Sequence, residues 1–324
     1  MSKTALIFGI SGQDGAFLAR LLLSKGYIVH GTSRDSEIND FTCLKKLFIK
    51  DEIHFHSVSL TNFRNILEVI EKVNPNEIYN LAAQSSVGLS FEQPLQTLES
   101  IVNSTTNILE AIRFLGIESR FYNACSSEAF GEIGDSPANE NTPFRPKSPY
   151  GVAKASAFWQ VSIYRESYGL AACSGILFNH ESNLRPQRFV TKKICKAAAR
   201  IAMGSDEILT LGDLSIKRDW GWAPDYVNAM WKMLNKEKQE DFVISTGKLS
   251  SLSEFVACAF SVLDLNWENH VKSNPKLYRP SEIRSIFGSS QKALEKLNWK
   301  ADKLMPEVAS LMTLYELDIL KKSK

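Results

Sequence analysis

The chain has 324 residues, and 44% of them are hydrophobic, which is enough for one large core or two adjoining cores. Its 38 basic residues nearly balance its 36 acidic residues, so net charge favours neither a nucleic-acid nor a membrane partner. The five cysteines are widely spaced and never form a CxxC pair, which argues against a disulfide framework and a zinc knuckle. No apolar run approaches the roughly 18 residues of a membrane span, and no targeting segment is recognisable. We therefore expect an untargeted cytoplasmic protein.

Short apolar runs alternate with segments of helical period from Thr4 to about Leu177. This alternation is typical of repeated βαβ units, so it predicts an α/β fold with a doubly wound parallel sheet of the Rossmann type. Strands are predicted at residues 5–8, 28–31, 54–58, 77–81, 120–124 and 172–177.

The predicted elements also suggest a division into two parts. A helix over residues 13–25 closes at Gly26, which tolerates the left-handed C-cap conformation. After the last predicted strand the regularity weakens into mixed helices, strands and turns. We interpret residues 1–178 as a dinucleotide-binding domain, rejoined by parts of 215–250, and residues 179–324 mainly as a smaller C-terminal substrate-binding lobe.

A glycine-rich turn, GISGQDG, follows the first predicted strand and opens the first helix. Glycines in such a turn let the backbone approach a pyrophosphate, and the helix N-terminus supplies amide donors. The GxxGxxG spacing is similar to that of extended short-chain dehydrogenases/reductases. The predicted cofactor-binding residues of this loop are Gly9, Ser11, Gly12, Gln13, Asp14 and Gly15.

The end of the second strand usually selects between NAD and NADP. An acidic side chain there accepts hydrogen bonds from the ribose of NAD and repels the extra phosphate of NADP. In this chain that position falls near Ser33, and the neighbouring Arg34 is suited to pair with a 2′-phosphate. NADP is therefore the expected cofactor, while Asp35 keeps NAD as the alternative.

Four residues form the predicted catalytic set. Tyr150 and Lys154 are a YxxxK pair whose spacing places both on one helix face, and a neighbouring ammonium lowers the pKa of a tyrosine that acts as a base. Ser126 and Glu128 follow the fifth predicted strand, at the carboxyl edge where open α/β sheets bind ligands. Ser126 can polarise a substrate oxygen, whereas Glu128 is suited to removing a proton next to a carbonyl.

A series of segments resembles the motifs of the GDP-mannose 4,6-dehydratase family, in the same order and at similar spacing. The segments are GISGQDGAFLA, YNLAAQSSV, SSE, NTPFRPKSPYGVAK, YRESYG, ILFNHES, RDWG and YRPSEI. The resemblance runs from about Lys3 to Trp299. The FNHES and RDWG blocks distinguish this family from most other nucleotide-sugar dehydratases and epimerases of the same fold.

The resemblance implies a redox-neutral dehydratase with tightly retained NADP. Tyr150 would take the proton from the sugar C4 hydroxyl during hydride transfer, with Ser126 holding the oxygen and Lys154 bridging Tyr150 and the ribose. Glu128 would then remove the C5 proton and help to expel the C6 hydroxyl, before hydride returns to C6. The product would be GDP-4-keto-6-deoxymannose.

The resemblance also implies the remaining site residues. Cofactor contacts are expected from Leu81, Ala82, Ala83 and His180. His180 is expected to be a hydrogen-bonded structural residue rather than an acid. Contacts with the GDP-sugar are expected from Ser85, Asn179, Arg185, Lys193, Arg218, Arg279 and Glu282, since cationic donors suit a diphosphate and an acid suits a guanine edge. The family further implies a homodimer or homotetramer, and no metal site is expected.

Several positions depart from the family pattern. Ser126 replaces a usual Thr, Ser59 an Asp at the adenine contact and Pro186 a Gly, and only Arg34 remains where two arginines are common. The substrate therefore stays open between GDP-mannose and a relative such as GDP-manno-heptose. A C4-dehydrogenase, an epimerase or a reductase would not need Glu128, and the intact catalytic set argues against a non-catalytic nucleotide-sensing protein.

Overall fold

The computed structural model describes residues 2–322, which form a helix-flanked sheet and a smaller lobe. The strands are β1 Thr4–Phe8, β2 Ile28–Ser33, β3 His54–Ser57, β4 Glu77–Asn80, β5 Arg120–Ser126, β6 Ala172–Leu177, β7 Asn179–Glu181, β8 Leu209–Leu211, β9 Lys217–Arg218, β10 Trp220–Trp222, β11 Phe242–Ile244, β12 Ser250–Ser251, β13 Val271–Ser273 and β14 Ser285–Ile286. The α-helices are α1 Gln13–Ser24, α2 Thr42–Lys46, α3 Phe63–Val73, α4 Val87–Glu92, α5 Pro94–Leu98, α6 Ser104–Leu115, α7 Pro149–Tyr168, α8 Val190–Ala202, α9 Ala223–Leu234, α10 Leu252–Ser261, α11 Gln291–Leu297 and α12 Met305–Lys322.

The main sheet has seven strands in the order β11-β6-β5-β4-β1-β2-β3, and each neighbouring pair is parallel. The chain begins in the middle of the sheet, runs outward to β3 and returns past β1 to β4. The strand order therefore reverses between β1 and β4, and ligands of open α/β sheets bind at the carboxyl ends beside such a point. The predicted doubly wound fold is confirmed.

One strand of the main sheet, β11, was not predicted from the sequence. It has only three residues, which is too short for a period to show in the sequence. It joins the sheet by pairing with β6, where Phe242 lies beside Gly175. This pairing returns the chain from the lobe to the edge of the main sheet.

Successive residues of β1 point to opposite faces of the sheet and belong to different hydrophobic cores. Ile7 packs with Leu18 of α1 and Met230 of α9, whereas Leu6 packs with Ile66 of α3. All five side chains are fully buried. Burial of each such side chain contributes about 1.5–3 kcal/mol, so the helices are firmly fixed on both faces.

The lobe consists of short strands and the helices α8, α10 and α12. Its apolar core includes Ile194, Trp220, Phe255 and Met312. Its strands form three small sheets. In these, β7 pairs with β10, β9 lies between β12 and β14, and β8 pairs with β13. Within residues 2–322, no helix is long and apolar enough to cross a bilayer.

Candidate active site

A cavity of about 470 Å³ lies at the carboxyl edge of the main sheet, between the sheet and the lobe. The predicted catalytic residues Ser126, Glu128, Tyr150 and Lys154 all line it, although they come from different elements. Other predicted site residues that line it are Asp14, Leu81, Ser85, Asn179, His180, Arg185, Lys193, Arg218 and Arg279. The fold therefore brings most of the predicted site residues to one cavity.

The glycine-rich loop packs so closely against neighbouring backbone that Gly9 and Gly15 leave no room for a side chain. Gly9 has a φ of 91°, and a Cβ on it would lie 2.7 Å from the backbone nitrogen of Ala82. A Cβ on Gly15 would lie 2.3 Å from the carbonyl oxygen of Gly9. Gly12 is the N-cap of α1 and provides no side-chain cap for its first-turn N–H groups. A close backbone approach with free amide donors fits a pyrophosphate, so the residues present fit a dinucleotide.

Gln13 and Asp14 join this loop to the lobe through His180. The Gln13 side chain donates to the carbonyl of His180 at 3.1 Å and accepts from the Ser182 hydroxyl at 2.7 Å. His180 Nε2 lies 2.8 Å from Asp14 Oδ2, and Nδ1 lies 2.7 Å from the carbonyl of Phe178. Burial lowers the pKa of His180, but the Asp14 carboxylate outweighs burial and raises it. Both ring nitrogens face acceptors, an arrangement that favours the protonated form of His180 and links the loop to the lobe.

Tyr150 and Lys154 share one face of α7. Lys154 Nζ lies 5.7 Å from the centre of the Tyr150 ring and donates to the carbonyl of Ala124 at 2.7 Å. Burial lowers the pKa of Lys154 to about 8. Burial raises the pKa of Tyr150, and a hydrogen bond with Ser126 opposes this only in part. The expected lowering of the Tyr150 pKa by Lys154 is therefore wrong for this arrangement, because desolvation of the phenol dominates.

The backbone at Glu128 is fixed against the start of α7. Ser126 ends β5, and its Oγ accepts the N–H of Glu128 at 3.3 Å. Ser148 caps α7 by accepting the N–H of Gly151 at 3.0 Å. Gly151 packs so closely that a Cβ on it would lie 2.6 Å from the carbonyl oxygen of Glu128. These contacts fix the positions of Glu128 and Tyr150 relative to each other.

Charges from the lobe surround the Glu128 carboxyl. Burial raises the pKa of Glu128, while Arg218 and Arg279 oppose the rise and Glu282 adds to it. Arg218 is buried and donates to Glu282 Oε1 at 2.7 Å, and Arg279 Nη1 lies 3.5 Å from the same oxygen. Glu282 lies behind the two arginines and does not line the cavity. A carboxyl with a raised pKa exchanges its proton closer to neutral pH, which suits acid–base catalysis.

Arg188 and Glu181 are two charged residues that line the cavity and were not predicted from the sequence. Arg188 is exposed and donates to Ser85 Oγ at 3.2 Å, so it links the lobe to the loop after β4. Glu181 is buried, and its Oε2 lies 3.0 Å from Nε of Arg185, whose guanidinium lies 3.7 Å from the centre of the Phe189 ring. The available signal was a second arginine three residues after Arg185, near the start of α8.

The residues that follow β2 do not line the cavity. Arg34, in this segment, is exposed on the protein surface. Asp35 Oδ1 accepts the N–H groups of Glu37 at 2.9 Å and Ile38 at 3.2 Å, so this carboxylate closes a turn of its own loop. Across residues 2–322, no group of three or more His, Cys, Asp or Glu side chains is arranged to hold a metal ion.

Solved structures share this architecture over nearly the whole chain. A UDP-glucose 4-epimerase of Thermotoga maritima is 22% identical, with a TM-score of 0.87, and the match covers 98% of this chain and 99% of that one. A dTDP-glucose 4,6-dehydratase of Bacillus anthracis in complex with NAD is 18% identical, with a TM-score of 0.86, and the match covers 99% and 98%. The chain therefore has the Rossmann-type fold of the extended short-chain dehydrogenases/reductases.

The family follows from closer sequence matches. The model of the GDP-mannose 4,6 dehydratase family matches residues 6–312. A GDP-mannose 4,6 dehydratase of Dictyostelium discoideum is 42% identical over 98% of this chain and 97% of its own length, and one of Drosophila melanogaster is 41% identical over 99% and 88%. The chain belongs to the GDP-mannose 4,6-dehydratase family, a family of carbon–oxygen lyases, as its motifs indicated.

Proposed function

We propose that this protein converts GDP-mannose to GDP-4-keto-6-deoxymannose within nucleotide-sugar biosynthesis. The observation that carries the proposal is the convergence of Ser126, Glu128, Tyr150 and Lys154 on one cavity of a family member. A bound nicotinamide dinucleotide supplies the chemistry of accepting hydride from the sugar and returning it. The protein side chains supply the proton transfers and the positioning.

The first proposed step is removal of the C4 hydroxyl proton by Tyr150. Ser126 holds the C4 oxygen, and its hydrogen bond with Tyr150 places the two hydroxyls side by side for this contact. Lys154 orients Tyr150 and the cofactor ribose. Because burial raises the pKa of Tyr150, the phenol is a weak acid before the substrate binds and is activated in the assembled complex.

The second proposed step is the loss of water across C5 and C6. A carbonyl at C4 acidifies the C5 proton, which Glu128 removes, and Glu128 then helps to expel the C6 hydroxyl. Its raised pKa suits a group that first accepts a proton and then donates one. A related reaction that stops at C4 oxidation would have no use for this carboxyl.

The lobe is proposed to bind the GDP group, with the sugar toward the sheet. Arg218, Arg279 and Lys193 line the cavity and provide positive charge for a diphosphate. Glu282, paired with Arg218 and Arg279, is the proposed acceptor of hydrogen bonds from a guanine edge. We accordingly assign cofactor binding to residues 1–178 with parts of 215–250, and GDP-sugar binding mainly to residues 179–324. Ser85, Asn179 and Arg185 are the remaining residues proposed to contact the GDP-sugar.

NADP is the proposed cofactor, with NAD as the alternative. Arg34 is exposed after β2 and is available for a 2′-phosphate, while the Asp35 carboxylate is used within its own loop and so does not occupy the ribose position. Mass spectrometry of the cofactor released from the purified protein tests this proposal. NADP is expected, and recovery of NAD alone would overturn the role of Arg34.

A homodimer or homotetramer in the cytoplasm is proposed. Helix α7 exposes Val152, Trp159 and Ile163 at helical spacing, and Leu95 of α5 is also exposed. An exposed apolar stripe of this kind is typical of an interface between chains. The cysteines among the described residues are all free, which suits a reducing compartment.

The sugar itself is tested by direct comparison. GDP-mannose and GDP-manno-heptose differ around one carbon, and pocket shape discriminates such substrates only moderately. The purified protein is incubated with each, and the products are identified by NMR. Formation of the 4-keto-6-deoxy product from GDP-mannose at the higher kcat/KM supports the proposal, whereas turnover of the heptose alone would replace it.

A further inference from the structure

Asp219 is a buried carboxylate next to the cavity that none of the proposed steps uses. It is the single residue between β9 and β10, and it is fully buried. Its neighbours Arg218 and Trp220 line the cavity, whereas Asp219 does not. Burial of a carboxylate is unfavourable unless protein groups donate hydrogen bonds to it. The donors around Asp219 therefore identify the segments that this carboxylate joins.

Both oxygens of Asp219 accept hydrogen bonds. Oδ1 accepts from the backbone N–H of Thr246 at 2.9 Å and from its hydroxyl at 2.7 Å, and Oδ2 accepts from the N–H of Gly247 at 2.9 Å. The N–H of Gly288 also donates to this carboxylate. Burial raises the pKa of Asp219 to about 6 in spite of these donors, so the group is ionised at neutral pH.

The donors come from two separate parts of the fold. Thr246 and Gly247 follow β11, the outermost strand of the main sheet, and Gly288 follows β14 of the lobe. Asp219 itself connects β9, which pairs with β14, to β10, which pairs with β7. One carboxylate therefore joins the edge of the main sheet to the lobe strands at the cavity wall.

Arg218 immediately precedes Asp219 and is the charged cavity residue beside this junction. Its guanidinium is held by Glu282, and its backbone is held by the corner that Asp219 anchors. We infer that Asp219 is a positioning residue: its carboxylate fixes the corner between β9 and β10 against the end of β11 and so sets where Arg218 meets the phosphates of the nucleotide sugar. This inference rests on the proposed function for the identity of the ligand.

The test is Asp219→Asn, because an amide presents N–H groups to donors that need an acceptor. The control is Asp241→Asn, at the opposite end of β11, where both carboxylate oxygens accept from Arg165 at 2.9 and 2.7 Å, away from the cavity. Both variants are expected to lower the melting temperature, because each weakens buried hydrogen bonds. Only Asp219→Asn is expected to raise KM for GDP-mannose, by roughly tenfold with kcat within about threefold, since a displaced phosphate contact weakens binding.

Equal KM values in parent and Asp219→Asn, or an equal rise in the Asp241→Asn control, would overturn the inference. Hydrogen exchange at residues 217–222 provides a readout independent of substrate, and only Asp219→Asn is expected to accelerate it. If the parent protein does not convert GDP-mannose, the proposed function fails, and unchanged exchange in Asp219→Asn then overturns the inference by itself. Should Asp219→Asn not fold, Thr246→Val removes only the hydroxyl donor and is expected to raise KM in the same direction.

Discussion

At the residue scale, Glu128 is the residue proposed to distinguish a dehydratase from a simple dehydrogenase. With Glu128→Gln we expect C4 oxidation to proceed, seen as reduced-cofactor absorbance, while water loss slows by at least about 100-fold because the amide cannot take the C5 proton. Product analysis by NMR measures the second step. Formation of the 4-keto-6-deoxy sugar at the parent rate would remove Glu128 from its assigned role.

Tyr150→Phe provides the complementary variant. It removes the hydroxyl proposed as the base for the C4 proton, so even the first hydride step is expected to be lost. The measurement is cofactor absorbance in a single turnover with GDP-mannose. Normal reduction of the cofactor in this variant would contradict the assignment of Tyr150 while leaving that of Glu128 open to its own test.

The pH dependence of kcat/KM follows from the raised pKa of Glu128 in the free protein. Glu128 must be ionised to accept the C5 proton, so kcat/KM is expected to fall as pH is lowered, with an acidic limb above the ordinary glutamate value of 4.5. Arg218 opposes the raised pKa, so Arg218→Gln should move the limb to still higher pH. Arg284→Gln, a change at an exposed arginine outside the cavity lining, is the control. Identical limbs in all three proteins would contradict this electrostatic account.

At the element scale, Gly151 explains how α7 is seated against the end of β5. A Cβ at this position would lie 2.6 Å from the carbonyl oxygen of Glu128, so Gly151→Ala forces the helix to shift. We expect it to lower the free energy of unfolding by about 1–3 kcal/mol. Gly88→Ala in α4 is the control, because its nearest neighbour atom is 3.9 Å away and alanine favours helix. Denaturant unfolding compares the two, and equal changes would contradict the packing argument.

The elements that were predictable from sequence are those with a local signal. The six strands from β1 to β6 show apolar runs between helical segments, and the turn at Gly9 and Gly12 carries its own glycine pattern. The strand β11 has no such signal, because three buried residues in a row do not reveal their partner. The link between Gln13 and His180 likewise joins positions far apart in the chain.

At the scale of the whole molecule, the exposed stripe on α7 predicts association. Ile163→Asp places a charge in the stripe and is expected to dissociate the oligomer, because an unpaired charge in an apolar interface is strongly unfavourable. Phe48→Asp, at an exposed aromatic residue distant in sequence from α7, is the control and should leave the mass unchanged. Analytical ultracentrifugation measures both. An unchanged mass for Ile163→Asp would place the interface elsewhere.

The amino-acid sequence by itself determined the fold class, the family, and the residue types at the site, because periodicity and motifs are written in neighbouring positions. Only the tertiary structure decided the surroundings of those residues: burial raises the pKa of Tyr150 against the expected effect of Lys154, and the Asp14 carboxylate raises the pKa of His180 in spite of burial. It also revealed that Asp219 joins the sheet to the lobe. Desolvation and long-range hydrogen bonds depend on which segments meet in space, and no local pattern encodes that information.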